Sequence, residues 1–174
     1  MRTFAILFAA VANLVLADAI SKEAAAFYLK GRAALDLVPG FLSLAYVENR
    51  GCAWGMFQGQ VWPLGVFGVI ALALLVWKRR AVFAPPGASA LVCEILLYSG
   101  ILGNVIDRFA RGFVIDMIDV HAAAHHFPCF NLADSFICIA VFMLILRSFA
   151  AERKAKAAKK PHDPVKAQSS TPAK

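Results

Sequence analysis

Long apolar runs separated by short polar segments dominate the chain. A membrane-spanning helix needs roughly 20 mostly apolar residues, because the hydrocarbon core is about 30 Å thick. Four runs are predicted to span, over residues of about 3–20, 61–77, 88–106 and 130–149. Lipid offers backbone groups no hydrogen-bond partners, so each run is predicted to be a helix. The pattern predicts an all-α membrane protein with one four-helix bundle within residues 1–150.

Composition agrees with this pattern and leaves no room for a second soluble domain. The 174 residues are 60% hydrophobic and 17% charged, whereas a soluble domain has roughly 45–50% apolar and about 25% charged residues. Residues 151–174 are rich in Lys and Pro and are predicted to form a disordered basic cytoplasmic tail near anionic lipid. This segment lacks interleaved aromatic residues, so we expect no nucleic-acid partner.

Positive charge is concentrated on one side of the predicted bundle. Arg2 contributes one basic residue, residues 78–80 three and the segment from Arg147 onward eight, which is 12 of the 18 in the chain. By the positive-inside rule, both termini and the loop after the second span are cytoplasmic. The loops 21–60 and 107–130 are therefore predicted to face outward.

The first run also has the features of a cleavable signal peptide. Arg2 precedes an apolar core, and Ala17-Asp18-Ala19 forms a small-x-small sequence. Cleavage would leave three spans and place the basic tail outside, against the charge pattern. We therefore expect this run to remain as the first span.

Polar residues at membrane depth are costly, so each is a hypothesis for a functional site. Here they gather at the outward ends of three predicted spans: Asp18, Ser21 and Lys22 in the first, Asn104, Asp107 and Arg108 in the third, and Asn131 and Asp134 in the fourth. Gly100 and Gly103 share a helix face with Asn104 and remove side-chain bulk there. This face is predicted to let a neighbouring helix approach closely.

Two aspartates stand out because large apolar residues surround them in the sequence. Asp116 lies within Gly112-Phe-Val-Ile-Asp116-Met117, and Asp134 lies in the first turn of the fourth span. Apolar surroundings raise a carboxyl pKa, and two adjacent carboxylates share one proton. Aspartic proteases use such a proton-sharing pair of carboxyls for catalysis. Spacing alone leaves open whether the two residues meet.

Histidine and cysteine suggest other chemistry with less support. His121 and His125 have i, i+4 spacing, which can mark a metal site, but no HExxH-type arrangement accompanies them. Structural histidines are the preferred interpretation, and no metal is expected. Cys52 and Cys129 both lie on the predicted outer side, where they either pair or stay free.

Two other functions compete with a peptidase. A metal-dependent lipid phosphotransferase would use Asp107, Asp116 and Asp119 to hold Mg²⁺. The charge pattern places these aspartates outside, where nucleotide-linked donors are not expected. A small transporter or assembly factor without chemistry would tolerate Asn or Ala at either member of the aspartate pair.

Four sequence blocks resemble, in order, those of bacterial lipoprotein signal peptidase, the type II signal peptidase. They are Asp18-Ala-Ile-Ser21-Lys22, Asn49-Arg-Gly51-Cys-Ala53-Trp54-Gly55, Gly100 to Arg108 continuing to Gly112-Phe-Val114-Ile-Asp116, and Phe130-Asn131-Leu-Ala133-Asp134-Ser135. Each block alone is weakly specific, but four in this order across about residues 1–150 make a specific match. The resemblance implies an intramembrane aspartic endopeptidase.

The resemblance also implies roles position by position. Asp116 and Asp134 match the two catalytic aspartates of the family. The positions that match residues shaping the site or contacting substrate and inhibitor are Asp18, Lys22, Asn49, Gly51, Asn104, Arg108, Asn131 and Ala133. The family uses no metal or organic cofactor, so we expect none.

The implied fold is a four-transmembrane-helix bundle with a small extracytoplasmic β-sheet cradle and a short amphipathic helix. Residues 21–60 are long enough to supply both, and residues 41–47 have strand-like apolar content. The implied reaction is cleavage of prolipoproteins before a diacylglyceryl-modified cysteine. Membrane lipid and cyclic lipopeptide inhibitors of the globomycin type are further expected partners. A monomer is expected in the bacterial inner membrane, with its active site at the outer face.

Overall fold

The structure, a computed structural model, describes residues 2–122 and 125–158. Its elements in chain order are α1 (Arg2–Leu29), β1 (Leu35–Val38), β2 (Leu42–Asn49), a 3-10 turn (Ala53–Gly55), α2 (Val61–Trp77), α3 (Arg79–Val82), α4 (Ala88–Arg111), β3 (Val114–Ala122), β4 (His125–His126) and α5 (Leu132–Ala158). The chain divides into two compact units, residues 1–144 and 145–174. The first contains all the strands, and the described part of the second, residues 145–158, is helical.

Within the part of the chain that the structure describes, three helical segments are long and apolar enough to cross a membrane: Phe4–Leu29, Ala88–Arg111 and Leu132–Ala157. The apolar helix α2 is shorter, with 17 residues. Large apolar side chains such as Phe8, Phe67 and Phe142 are exposed on the helix surfaces, as expected where lipid is the solvent. About 56% of the apolar α4 segment is buried, against 11% in α1 and α5, so α4 is the central helix.

Glycines let the helices approach α4 closely, as the pattern on this helix predicts. A Cβ at Gly103 would lie 2.6 Å from Asp18 Oδ2, and one at Gly100 would collide with the backbone oxygen of Ala133. On α2, a Cβ at Gly65 would lie 2.9 Å from the Phe109 ring. Close packing at small residues is how membrane helices gain contact without a hydrophobic driving force.

The helices extend beyond the ends of their apolar runs. Helix α1 continues to Leu29 and not to residue 20, because Ala-rich sequence without Gly or Pro follows the polar turn. Helix α4 continues to Arg111 and ends at Gly112, which has a left-handed φ of 76°. Helix α5 includes residues 151–158 of the segment predicted to be a disordered tail, because Ala, Glu, Lys and Arg favour helix. Residues 159–174 lie outside the described part.

The strands form a four-stranded antiparallel sheet in the order β1-β2-β3-β4. Strand β2 includes most of residues 41–47, the run with strand-like apolar content. The register of β2 and β3 places Val47 opposite Asp116 and Asn49 opposite Val114. Ile115 and Met117 bury their side chains with Ala25 of α1. The sheet is therefore packed on the end of α1, which sets the position of Asp116.

The segment between β2 and α2 differs from the expected short amphipathic helix. It contains a single 3-10 turn, Ala53–Gly55, in which Trp54 has φ of 61°. Gly51, Gly55 and Gly59 interrupt this segment and disfavour a continuous α-helix. A Cβ at Gly51 would collide with the Met56 carbonyl oxygen, so the loop closes tightly on itself.

Candidate active site

Asp116 lies in β3 and is almost fully buried, with 2% of its surface exposed. Its Oδ2 accepts a hydrogen bond from Asn49 Nδ2 at 2.9 Å, and its Oδ1 accepts one from Asn131 Nδ2 at 2.8 Å. Asn49 is held by a local turn in which Gly51 N donates to Asn49 Oδ1 at 2.9 Å. Two side-chain amides, one at the end of β2 and one just before α5, thus orient this carboxyl.

Asp134 is oriented by the cap of the helix on which it lies. Asn131 precedes α5, and its Oδ1 accepts a hydrogen bond from Asp134 N at 2.9 Å. The Asp134 carboxylate reaches back to Asn131 N at 3.2 Å, which is the reciprocal arrangement of a capping box. Asn104 Nδ2 of α4 donates to Asp134 Oδ1 at 2.7 Å. The N-terminal position also brings the positive end of the α5 dipole to this carboxylate.

Asp116 and Asp134, predicted as a pair, are brought to the same cavity. This cavity has a volume of about 700 Å³, and Asn49, Asn104 and Arg108 also line it. Asn131 joins the two carboxyls directly, through its side chain to Asp116 and its backbone to Asp134. Strand β3 and the N-terminal cap of α5 therefore converge on this cavity.

Burial and charge change the acidity of Asp116. Loss of solvent and the adjacent carboxylate of Asp134 raise the pKa of Asp116 to about 6, against the lowering effect of the amide donors of Asn49 and Asn131. The nearby Asp134 carboxylate therefore favours the protonated form of Asp116. A pair of this kind can hold one proton near neutral pH, which is the requirement for combined acid and base chemistry.

Asp18 and Lys22 form the centre of a buried ionic cluster behind the cavity. Lys22, with no exposed surface, lies 2.7 Å from Asp18 Oδ2 and 2.8 Å from Asp107 Oδ2. Its Nζ also donates to Asn104 Oδ1 at 3.2 Å. Asp18 Oδ1 accepts a hydrogen bond from Ala133 N at 2.9 Å. The cluster ties α1, α4 and α5 together and orients Asn104, which contacts Asp134.

Arg108 connects α4 to the loop that holds Asn49. Its Nη1 donates to the Asn104 carbonyl at 3.2 Å and its Nη2 to the Gly51 carbonyl at 3.1 Å. Arg111, one turn further, instead bonds Asp107 at 3.0 Å and Glu23 at 2.6 Å. Only Arg108 of these two lines the 700 Å³ cavity.

The carboxylates that a phosphotransferase would use to hold Mg²⁺ do not share one site, because each contacts different side chains. Asp107 is paired with Lys22 and Arg111, and Asp119 with His126 at 3.0 Å. His121 and His125 lie on the paired strands β3 and β4, so their i, i+4 spacing does not place them on one face of a helix. Within the described residues, the potential metal ligands that cluster are Asp119, His121 and His126.

Two cysteines and two aromatic residues also lie in or beside this cavity. Cys52 and Cys129 are free and both line the 700 Å³ cavity. Burial, with nearby carboxylates, raises the pKa of Cys129 to about 12, so its thiol stays protonated. Trp54 and Phe127 meet edge to face with ring centroids 5.8 Å apart beside the site. Sequence reasoning did not assign them a role, although Trp54 belongs to one of the four blocks.

Comparison with known proteins agrees with this geometry. A family model described as signal peptidase II matches residues 10–150. The chain belongs to the signal peptidase II family. It is 37% identical to a lipoprotein signal peptidase of Syntrophotalea carbinolica over 78% of this chain and 86% of the relative. It is 36% identical to that of Shewanella loihica over 83% and 86%.

A solved structure shares the fold. A bacterial membrane enzyme determined by the in meso method superposes with a TM-score of 0.74 at 30% identity, covering 90% of this chain and 92% of that chain. Family membership makes this chain a protease and a protein of the bacterial inner membrane. The prediction of lipoprotein signal peptidase from the four blocks is thereby confirmed.

Proposed function

We propose that this protein removes signal peptides from prolipoproteins by cleaving before the diacylglyceryl-modified cysteine, with Asp116 and Asp134 as its catalytic pair. Membership of the signal peptidase II family supports the reaction. The observation that carries the site is the convergence of the two carboxyls on one cavity, with Asn131 bonded to both.

The mechanism needs one proton shared by the pair. The ionised carboxylate takes a proton from a water molecule while the protonated carboxyl donates a hydrogen bond to the scissile carbonyl oxygen. Oxygen of the water bonds to the carbonyl carbon and forms a tetrahedral intermediate. Collapse of this intermediate breaks the C–N bond, and a proton passes from the pair to the leaving amine. The products are a new carboxylate on the signal peptide and a free amine on the modified cysteine.

The cavity suits a lipid-bearing substrate. Its walls include Leu64 and Phe67 of α2, Ile101 of α4 and Ile137 of α5, which are apolar residues on the lipid side of the dyad. Each methylene of a covalent lipid that moves into such surroundings contributes about 0.8 kcal/mol. The diacylglyceryl chains would occupy this apolar part and place the adjacent peptide bond at the carboxyls. Cyclic lipopeptide inhibitors of the globomycin type would compete for the same space.

The position of the site in the membrane follows from charge and from the sheet. We assign α2 as the fourth span: its 17 residues extend about 26 Å, short for a bilayer but within what tilt and local thinning accommodate. Both termini are then cytoplasmic and the dyad lies at the outer face. Leu35, Leu37 and Phe41 are about half exposed on the sheet, which fits a cradle resting on the bilayer surface.

The remaining organisation follows from the same assignment. Residues 1–150 form the peptidase, which acts as a monomer because one chain supplies both carboxyls and their supporting side chains. Residues 151–174 form a basic cytoplasmic tail attracted to anionic lipid. No metal or organic cofactor takes part in the reaction.

A cleavage assay tests the proposal. Purified full-length protein is incubated with a precursor peptide that carries a diacylglyceryl cysteine, and mass spectrometry locates the new N-terminus. We expect cleavage before the modified cysteine, unchanged by a chelator. The matched control is the same peptide with an unmodified cysteine, which should react at least about a hundredfold more slowly because it lacks the lipid contribution. Failure to cleave the lipidated peptide, or loss of activity on chelation, would contradict the proposal.

A further inference from the structure

A second cluster of chemically active side chains lies on the β3–β4 hairpin, outside the dyad. Asp119 and His121 belong to β3, and His126 belongs to β4 and pairs with His121 across the strands. The rings of the two histidines stack with centroids 4.8 Å apart and planes 24° apart. The antiparallel register therefore places two imidazoles side by side.

Both imidazoles direct the same nitrogen to one carboxylate. His126 Nδ1 lies 3.0 Å from Asp119 Oδ1, and His121 Nδ1 lies 3.6 Å from Asp119 Oδ2. The His121 Nδ1 atom is buried and makes no hydrogen bond within residues 4–122 and 125–157. A buried polar nitrogen without a hydrogen bond is costly unless another partner supplies the interaction.

These distances match the spacing of ligands around a small metal ion. Zn–N bonds of about 2.0–2.1 Å in a tetrahedral site separate neighbouring ligand atoms by about 3.3 Å. The three ligand atoms here all lie within 4.8 Å of one another, so small side-chain rotations would bring them to one ion. Two imidazole nitrogens and one carboxylate oxygen suit zinc and similar transition metals, whereas Mg²⁺ and Ca²⁺ prefer oxygen ligands.

We propose that Asp119, His121 and His126 form a binding site for a divalent transition-metal ion of the Zn²⁺ class. The ion would be non-catalytic, because Asp116 is not among its ligands and the peptidase chemistry above uses no metal. Asp119, His126 and Asp116 nevertheless line one cavity of about 450 Å³, so the ion would lie at the rim of the active-site cleft.

Binding would fix the hairpin that forms this rim. Phe127, which follows His126, donates its backbone N–H to the Val120 carbonyl at 2.8 Å and contacts the Trp54 ring. An ion held by both strands would therefore restrain the aromatic wall as well. Because a ligand that binds the folded state stabilises it, the melting temperature should rise with Zn²⁺ concentration.

Metal titration of the full-length protein tests the proposal without using its activity. The protein is purified in detergent, freed of any histidine tag and of metal, and titrated calorimetrically with Zn²⁺, with Mg²⁺ as a negative control. Absorption of bound Co²⁺ reports the ligand geometry. We expect one equivalent of Zn²⁺ to bind and no heat with Mg²⁺. No binding of Zn²⁺ by the wild-type protein would overturn the proposal and leave the cluster as an ordinary Asp–His hydrogen-bond pair.

Substitutions assign the ligands. His121→Ala, His126→Ala and Asp119→Asn should each weaken Zn²⁺ binding by at least about tenfold, because each removes one of three protein ligands. His125→Ala, which changes the neighbouring histidine on the same hairpin, should weaken it by less than about twofold. Equal effects of His125→Ala and His126→Ala would overturn the assignment. His126 has an exposed side chain, so its variant should fold, and the melting temperature without metal checks this.

Discussion

Asn131 Nδ2 donates a hydrogen bond to Asp116 Oδ1 over 2.8 Å, which links the cap of α5 to the middle of β3. The backbone N–H of the same residue donates to Asp134 at 3.2 Å. One residue, through its side chain and its backbone, therefore contacts two carboxyls that are 18 positions apart in the sequence. Asn131 thus connects the strand that carries Asp116 to the helix that carries Asp134.

Removal of the Asn131 side chain should separate the two carboxyls. We expect Asn131→Ala to lower kcat for the lipidated precursor by about a hundredfold, because misplacing a catalytic group by about 1 Å has a cost of that size. The lost helix cap should reduce stability by about 1 kcal/mol, and the buried Asp116 carboxyl that loses its donor should add about 1–3 kcal/mol to this loss. The control is Asn13→Ala, since Asn13 donates to the Ala9 carbonyl on the exposed side of α1, away from the dyad. Comparable losses in both variants would show that Asn131 has no special role.

The carboxyls themselves should be indispensable. Asp116→Asn and Asp134→Asn should each reduce turnover by several orders of magnitude and leave membrane insertion intact. Asp36→Asn, which changes an exposed carboxylate on β1, should leave the rate unchanged. Retention of more than about a tenth of wild-type activity in either dyad variant would contradict the mechanism, because tenfold is only about 1.4 kcal/mol of barrier.

The buried acid at position 116 should also affect stability. The pKa of Asp116 is about 6 in the folded protein and returns to its ordinary value of 3.8 on unfolding. The folded state therefore holds more protons between these values, and wild-type stability falls as pH rises through this window. Asn at position 116 does not titrate.

We accordingly expect the difference in melting temperature, Asp116→Asn minus wild type, to increase from about pH 4 to about pH 7. The pKa difference corresponds to at most about 3 kcal/mol, or several degrees for a chain of this size. Thermal unfolding of both proteins in the same detergent measures it. A difference that is constant or that decreases with pH would contradict a protonated Asp116 in the folded state.

The centres of the helices could be predicted from sequence because lipid leaves the backbone of an apolar run no alternative to helix. The ends of the helices could not be predicted, because Ala-rich segments such as residues 21–29 continue the same helical hydrogen bonding. The β3–β4 pairing could not be predicted from the pattern either, since Ala and His near residue 121 have no strand signal and are held in a strand by pairing with β4. Tertiary pairing decides such segments.

For the site, the polar residues at span ends were identifiable because they are costly in lipid. Which of these residues contact one another could not be identified, because the contacts depend on packing between elements that are distant in the sequence. From the sequence, Asp107 is a charged residue at the end of a span with no visible partner. In the structure it pairs with Lys22 of α1. Arg111, at the end of α4, likewise pairs with both Asp107 and Glu23 of α1.

The orientation of the chain in the membrane can be tested by labelling. Single cysteines are introduced into a variant without the native Cys, at Gln58 and His125 or at Ala84 and Ser169. A membrane-impermeant reagent added from the periplasmic side should label the first two and not the second two, because basic residues concentrate at the termini and residues 78–80. Labelling after permeabilisation is the control for reactivity. Reaction at Ser169 in intact cells would reverse the orientation and place the dyad inside.

Arg108 and Arg111 provide a matched pair for separating a site residue from a structural one. The Arg108 guanidinium contacts the Asn104 and Gly51 carbonyls simultaneously and faces the cavity. A lysine keeps the charge but lacks the planar fork, so it cannot make both contacts in this geometry. Release of Gly51 would loosen Asn49, which holds Asp116.

We therefore expect Arg108→Lys to lower kcat/KM by at least about tenfold. Arg111→Lys should change it by less than about twofold, because Asp107 keeps its 2.8 Å contact with Lys22 and the Arg111 partner Glu23 is exposed. The two variants are assayed side by side at matched concentration, with melting temperatures in detergent as the folding control. Equal losses of activity would mean that activity depends on the total positive charge at this end of α4. The contact between Arg108 and Gly51 would then not position the dyad.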